Sequence, residues 1–384
     1  MKNICIITGT RAEYGLLRPI INRVENDIDL NLQLIVTGMH LSPEFGMTFK
    51  QIEKDGYHIT EKIEVLISSD TNVGISKSMG LAMISFSELY ERIKPDIVIV
   101  LGDRYEIFSA VSAAYVSKIP VAHIHGGETT KGAFDESLRH CITKMSYLHF
   151  TSTEDYRNRV IQLGEHPDRV FNVGAIGIEN IKNLKLLSKK ELEIQLNLKL
   201  ENKYVIVIFH SVTLENNTAK GQFEEIINAL EKTDLNVIFI KGNSDTGGRI
   251  INKMIDEITN KYTKKYASFT SLNILQYLSL MKHCEALIGN SSSGILEAPS
   301  FRIPTINIGD RQKGRIQSKS IINSEPKSDK IYTSLKEGMS ESFKNEISNM
   351  VNPYGDGNVS VKIIDKIKVF LNNDIDLKKN FYDL

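Results

Sequence analysis

The residues best suited to chemistry sit where apolar runs end. Gly289-Asn290-Ser291-Ser292-Ser293-Gly294-Ile295-Leu296-Glu297 directly follows the run Ala286-Leu287-Ile288. At a strand-to-helix turn, small hydroxyl residues and glycine leave backbone N–H groups to face an anion. The dipole of a helix starting near Gly294 favours negative charge there. Glu297, one turn into that helix, is placed to hold sugar hydroxyls. Phosphate plus sugar points to a nucleotide or nucleotide-sugar site. Without a ligand, the same stretch is a Ser-rich helix cap. A second cluster is Val121-Ala122-His123-Ile124-His125-Gly126-Gly127-Glu128, followed by Asp135-Glu136-Ser137-Leu138-Arg139-His140. On a strand, His123 and His125 share one face; on a helix, Glu136, His140 and Lys144 do. Carboxylates and histidines near one strand end suit acid–base work at neutral pH. A metal site is the rival reading, although the spacings match no standard ligand set.

Three further strand ends add polar groups. Asp103, in Leu101-Gly102-Asp103-Arg104-Tyr105-Glu106, is either a catalytic carboxylate or the cap of the next helix. Arg11, in Gly9-Thr10-Arg11-Ala12-Glu13-Tyr14-Gly15, can fork onto phosphate oxygens or serve a structural ion pair. His210 follows the run Tyr204–Phe209 and precedes Ser211-Val212-Thr213. It can neutralise phosphate, donate a proton, or be structural. The glycine pattern after the first run is not the dinucleotide fingerprint. Gly242–Arg249 lacks the Lys and Ser/Thr of a P-loop.

Positioning these groups is the work of the apolar runs. Strands are expected at Ile4–Ile7, Leu32–Val36, Ile97–Leu101, Val121–Ile124, Leu148–Thr151 and Val170–Val173. After a helical, linker-like Asn180–Lys203 the pattern restarts at Tyr204–Phe209, Val237–Ile240, Ala286–Ile288 and Thr305–Ile308. Continuous rather than alternating apolar runs indicate strands buried on both faces of parallel sheets. Two doubly wound α/β halves follow, with ligands at the carboxyl ends of the strands, in the cleft between domains.

Composition narrows the class. The chain has 384 residues, and 47 Lys+Arg balance 47 Asp+Glu, which argues against a nucleic-acid protein driven by bulk charge. The scattered Cys5, Cys141 and Cys284 read as buried thiols in a reducing cytosol. No apolar run approaches the roughly eighteen residues of a membrane span, and no signal peptide precedes the first strand. A cytoplasmic protein without membrane or nucleic-acid partners is expected.

Taken together, GTRAEYGLL (9–17), TGMHLSPEFG (37–46), GDRYE (102–106), HIHGGE (123–128), DESLRHCITKMSYLHF (135–150), GNSSSGILE (289–297) and GDRQKGR (309–315) resemble the UDP-N-acetylglucosamine 2-epimerase family. The likeness is to its hydrolysing, N-acetylmannosamine-forming branch of bacterial sialic-acid pathways. It implies the GT-B architecture: two Rossmann-like domains, here 1–178 and 179–358, the active site in their cleft, and a final helix (359–384) packing back on the first domain. It also implies a nucleotide-sugar substrate, UDP-N-acetylglucosamine, and a homodimer or homotetramer. Carried over by motif, Asp103, Asp135, Glu136 and His210 are expected to be catalytic, and Glu128 joins them by position. Arg11, Arg104, His125, Arg139, His140, Asn243, Ser291, Ser292, Ser293, Gly294, Glu297 and Arg311 are expected to bind substrate. Many relatives have Glu where this chain has His125, so the nearest carboxylate is Glu128. Ser211 replaces a usual proline.

The chemistry of such a reaction is constrained. The sugar C2–H is acidic only once the nucleoside diphosphate has begun to leave C1. Elimination to 2-acetamidoglucal, then hydration at C1 with reprotonation of C2 from the other face, needs no cofactor and no metal. Rival readings are the same chemistry on a 2,4-diacetamido-trideoxyhexose or GDP-linked sugar, a non-hydrolysing 2-epimerase, a GT-B glycosyltransferase, and a silent nucleotide-sugar-binding protein. GTRAEYG and GDRYE, instead of GTRPE and GDTT, favour hydrolysis.

Overall fold

The apolar runs become two parallel sheets in the computed structural model, which describes every residue except 68–70, 131–133, 201–202, 213–217, 243–247, 356 and 374–375. The chain divides into two units: Met1–Glu128, Asp135–Lys182 and Tyr354–Leu384 form the first, and Thr129–Phe134 with Asn183–Pro353 form the second.

The first unit carries β1 (Lys2–Thr8), β2 (Leu30–Thr37), β3 (Glu61–Ile63), β4 (Ile97–Leu101), β5 (Val121–Ile124), β6 (Leu148–Thr151) and β7 (Val170–Asn172). They lie side by side in the order β3-β2-β1-β4-β5-β6-β7, and every pairing among the described residues is parallel. The order reverses between β1 and β4, the place where doubly wound sheets open a crevice at their carboxyl ends. Alternate residues of β1 feed opposite cores: Ile4 and Ile6 pack on one face, Cys5 and Ile7 on the other.

The second unit repeats the plan with β8 (Tyr204–Ile208), β9 (Asn236–Ile240), β10 (Tyr266–Phe269), β11 (Ala286–Gly289), β12 (Thr305–Ile308) and β13 (Ile321–Ser324), in the order β10-β9-β8-β11-β12-β13. Here Val205 and Val207 face one core, and Tyr204, Ile206 and Ile208 the other. The predicted two α/β halves with parallel sheets are thus present.

The helix Val359–Leu371 belongs to the first unit. Val359, Ile363, Ile364, Ile367 and Leu371 join the cluster that holds Ile4, Ile6 and Leu17. Buried aliphatics at roughly 1.5–3 kcal/mol each make this helix a principal contributor to that core. Glu179 fixes its start by accepting from the Ser360 N–H at 2.6 Å and the Ser360 hydroxyl at 2.5 Å.

Two expectations need correcting. Asn180–Lys203 contains a helix, Lys189–Leu196, as expected, but it is more than a linker, because Leu192 and Leu200 are buried in the second unit's core. Cys141 is exposed, because it lies on the outer face of the helix Asp135–Met145, whereas Cys5 and Cys284 are buried. Among the described residues no helix is long and apolar enough to cross a membrane.

Candidate active site

In the first unit, the turn after β1 opens the helix Arg11–Glu25, with Thr10 as its cap. The Glu13 N–H donates to Thr10 Oγ1 at 3.2 Å, and Glu13 Oε2 accepts from the N–H groups of Gly9 (2.7 Å) and Thr10 (3.1 Å). This reciprocal cap places Arg11, half-buried, in the first helical turn. Below it lies a buried carboxylate pair. Arg104 Nε donates to Glu106 Oε1 at 2.7 Å. Burial, then the charge of Glu106, push the Glu13 carboxyl up to about 8, while Arg104 and the two amides pull it down. Arg104, expected on the substrate, is itself buried and its Nε is engaged inside the unit.

At the end of β4, Asp103 accepts from Arg139 Nη2. Arg139 is buried and Asp103 keeps 19 % side-chain exposure, so the carboxylate is oriented by a guanidinium yet still reaches solvent. Arg139 is presented by the helix Asp135–Met145, whose first turn holds Asp135 and Glu136. On that helix His140 Nε2 lies 3.3 Å from Glu136 Oε1, as the four-residue spacing predicted. Lys144 does not join them; its ammonium donates to Glu165 Oε1 at 2.8 Å.

The histidines of β5 divide. His123 is fully buried between β4 and β6; its Nε2–H donates to Gly102 O at 2.7 Å, and its Nδ1 accepts from Thr143 Oγ1 at 3.1 Å. Burial pushes its pKa down to about 3. His125 does not share its face, because the strand ends at Ile124 and His125 turns into the left-handed region at φ 65°. Non-glycine residues held there are strained and cluster at functional sites. The Ile176 N–H donates to His125 Nε2 at 3.3 Å, which leaves the proton on Nδ1, 3.2 Å from Glu128 Oε1. Ser152 Oγ also donates to Glu128 Oε1, at 2.7 Å. Glu128 is therefore an acceptor fixed by two donors. With both its ring nitrogens held inside the fold, His123 is no ligand for the rival metal reading.

In the second unit the organiser is Asn290, which sequence reasoning passed over. β11 ends at Gly289, whose φ is 134°. A Cβ there would lie 1.9 Å from Ile208 O, so only glycine lets the chain pass β8 this closely. Asn290, 1 % exposed, then clamps the His210 backbone. Its Oδ1 accepts from the His210 N–H at 2.7 Å, and its Nδ2 donates to His210 O at 2.8 Å. Its own carbonyl accepts from Arg311 Nη1 at 3.0 Å and Gln312 Nε2 at 2.8 Å. His210, the serine loop and Arg311, expected separately from sequence, thus meet at one residue, His210 through the Asn290 side chain and Arg311 through its backbone carbonyl.

The helix expected to start near Gly294 starts at Ser293. It is a single turn, Ser293–Leu296, followed by a 3-10 turn Ala298–Phe301, with the buried Glu297 at their junction. Pro299 ends the α-helical run. The Ser293 N–H bonds to Ser291 Oγ (3.3 Å) and the Gly294 N–H to Ser291 O (3.2 Å), while Tyr277 Oη donates to Ser293 Oγ at 2.6 Å. These groups shape the loop, and one helical turn supplies little dipole. Ser291 and Ser292 are half-buried. Asn243 and Thr213 lie outside the described residues. Among the described residues no group of His, Cys, Asp and Glu is arranged to hold a metal ion.

The chain resembles known proteins along its whole length. The profile of a family described as UDP-N-acetylglucosamine 2-epimerase matches residues 22–368. The chain is 44 % identical over 385 residues to the GDP/UDP-N,N'-diacetylbacillosamine 2-epimerase (hydrolyzing) of Campylobacter jejuni, covering 100 % of this chain and 99 % of that one. It is 40 % identical to the polysialic acid biosynthesis protein P7 of Escherichia coli, covering 100 % and 98 %. A crystal structure of UDP-GlcNAc 2-epimerase from Neisseria meningitidis bound to UDP-GlcNAc matches its fold with a TM-score of 0.79 at 20 % identity, covering 96 % of this chain and 100 % of that one.

Proposed function

Because the chain belongs to the UDP-N-acetylglucosamine 2-epimerase family, we propose that it is a hydrolysing 2-epimerase converting UDP-N-acetylglucosamine and water to UDP and N-acetylmannosamine. The observation that carries the hydrolytic reading is the end-to-end 44 % identity to a relative named as hydrolyzing. The second unit supplies groups for departing negative charge: Arg311 and His210, both held by Asn290, and Ser291 and Ser292, which follow Asn290 in the chain. The first unit supplies the carboxylates for C2 and the ring: Asp103, oriented by Arg139; Glu128, fixed by His125 and Ser152; and Asp135 and Glu136. As UDP leaves C1, one carboxylate takes the C2 proton to give 2-acetamidoglucal. Water then adds its hydroxyl to C1, and a second acid returns a proton to the opposite face of C2.

A second reading keeps this chemistry on a UDP- or GDP-linked 2,4-diacetamido-trideoxyhexose, and the name of the Campylobacter relative favours it. The test runs both sugars in deuterated and in heavy-oxygen water. Deuterium at C2 of the released sugar, with unlabelled nucleoside diphosphate, is expected for the true substrate. Heavy oxygen in the phosphate, or full protium at C2, refutes elimination at C1.

A further inference from the structure

The helix Asp135–Met145 carries four of the residues assigned above, yet its opposite end is held by a segment far away in sequence. The last carbonyls of a helix have no partner inside it and carry partial negative charge. Here Lys379 Nζ donates to Lys144 O at 2.9 Å and Ser146 O at 2.6 Å. The same ammonium lies 2.6 Å from Glu165 Oε2. Glu165 is wholly buried; its other oxygen accepts from Lys144 Nζ at 2.8 Å, and His149 Nε2–H donates to Oε2 at 3.0 Å. Burial acts to raise the Glu165 pKa, but these partners outweigh it and hold it at about 2. The last turn of the helix is therefore tied to one ionised carboxylate twice, through its own Lys144 and through Lys379.

The segment that brings Lys379 is itself seated by apolar contacts. The Tyr382 N–H donates to Gly164 O at 3.0 Å, and the Tyr382 ring packs on Val160, Ile161 and Val170. The Phe381 ring lies flush on Gly164, where a Cβ would sit 2.3 Å from it and where φ is 84°. Lys144 Nζ stands 4.8 Å from the centre of the Phe381 ring.

We propose that Asp376–Leu384 is a strap, with Lys379 as a positioning residue, that fixes where the helix Asp135–Met145 presents Asp135, Glu136 and Arg139 to the reaction. This rests on the proposed function. A helix rises about 1.5 Å per residue, so the clamp lies roughly 15 Å from Asp135, and a tilt of about 4° displaces that carboxylate by about 1 Å. A displacement of that size can cost up to about a hundredfold in rate. Neither the strap nor Lys379 touches the acid–base groups; they act through the helix.

The test compares full-length wild type, Lys379→Met and Lys379→Arg. It measures steady-state kinetics on UDP-N-acetylglucosamine and the diacetamido sugar, UDP affinity by calorimetry, and amide hydrogen exchange by mass spectrometry. For Lys379→Met, kcat is expected to fall about 10- to 100-fold. UDP affinity should stay within about twofold, and exchange should quicken in peptides spanning 135–146 but not in the second unit. Lys379→Arg, which keeps the donors, should recover most of kcat. A Lys379→Met protein with wild-type kcat and wild-type exchange overturns the proposal. So does faster exchange spread evenly over the whole first unit, which would mark a general loss of stability. A wild-type chain that turns over no nucleotide sugar overturns the functional reading instead, and the exchange data alone then decide whether the strap holds the helix.

Discussion

Asn290→Ala and Asn290→Asp should separate two consequences of the clamp on His210. In the alanine variant both side-chain bonds to the His210 backbone go, leaving an N–H and a C=O that were paired at 2.7 and 2.8 Å. Each such group costs about 1–3 kcal/mol when stranded. His210 is half-buried, so water relieves part of this and the low half of the range applies: about 2–4 kcal/mol in all. For a unit of this size that lowers the melting midpoint of the second unit by about 2–4 °C per kcal/mol. In the aspartate variant the acceptor for the His210 N–H survives. The donor to His210 O becomes a carboxylate oxygen facing a carbonyl oxygen, so the introduced carboxyl binds its proton more tightly when folded than when unfolded. Its stability deficit should therefore shrink as pH falls from 7 towards 5, while that of Asn290→Ala stays flat. Differential scanning calorimetry across that range, with UDP titrations, reads both effects. An alanine variant melting within a degree of wild type with unchanged UDP affinity would falsify the clamp, and parallel pH profiles for the two variants would remove the electrostatic part of the argument.

Three further outcomes are expected. Asp103→Asn keeps an acceptor for Arg139 but loses the charge; turnover should fall at least about a hundredfold with UDP affinity within several-fold, and a variant retaining a tenth of wild-type kcat would remove Asp103 from the chemistry. Arg311→Ala should weaken UDP binding by about 1.5–3 kcal/mol, more than Ser292→Ala, while Gln312 continues to satisfy Asn290 O; equal UDP affinity in both variants and wild type would place the diphosphate elsewhere. Glu13, raised from 4.5 to about 8, binds a proton in the folded state that the unfolded chain has released, so stability should decline as pH rises from about 5 to 8. Glu13→Gln should flatten that decline in urea titrations, and an unchanged slope would show that the carboxyl is already ionised.

The central strands were legible because each is buried on both faces and so writes an unbroken apolar run, as Ile97–Leu101 does. β3, β10 and β13 were not, and all of them are edge strands. Glu61-Lys62-Ile63, Tyr266-Ala267-Ser268-Phe269 and Ile321-Ile322-Asn323-Ser324 each keep partly exposed positions, so polar and small residues interrupt the pattern. Within the candidate site, charge and strand-end position singled out Asp103 and His210, whereas Arg139 and Arg311 were named by the family resemblance. Asn290 escaped because a neutral amide has no titration, periodicity or charge to advertise it; its importance lies in meeting His210 from 80 residues away. Glu13 and Glu106 escaped for a related reason, since two carboxylates from different strand ends become a buried pair only when β1 and β4 lie side by side. His123 erred the other way: its sequence neighbours resemble a site, but its place in a central strand makes it core.

The return of the chain to the first unit has a consequence for how the protein is made. The apolar face formed by Ile4, Ile6 and Leu17 is completed by Val359–Leu371, which leaves the ribosome only after the whole of Asn183–Pro353 has been synthesised. The second unit has all but Thr129–Phe134 in one continuous stretch and can close as soon as it emerges. The first must wait with an uncovered sheet face, which exposes it to chaperones, proteases and self-association. Pulse-proteolysis of stalled nascent chains should find the later-made unit protected before the earlier one, so that the order of maturation runs opposite to the order of translation.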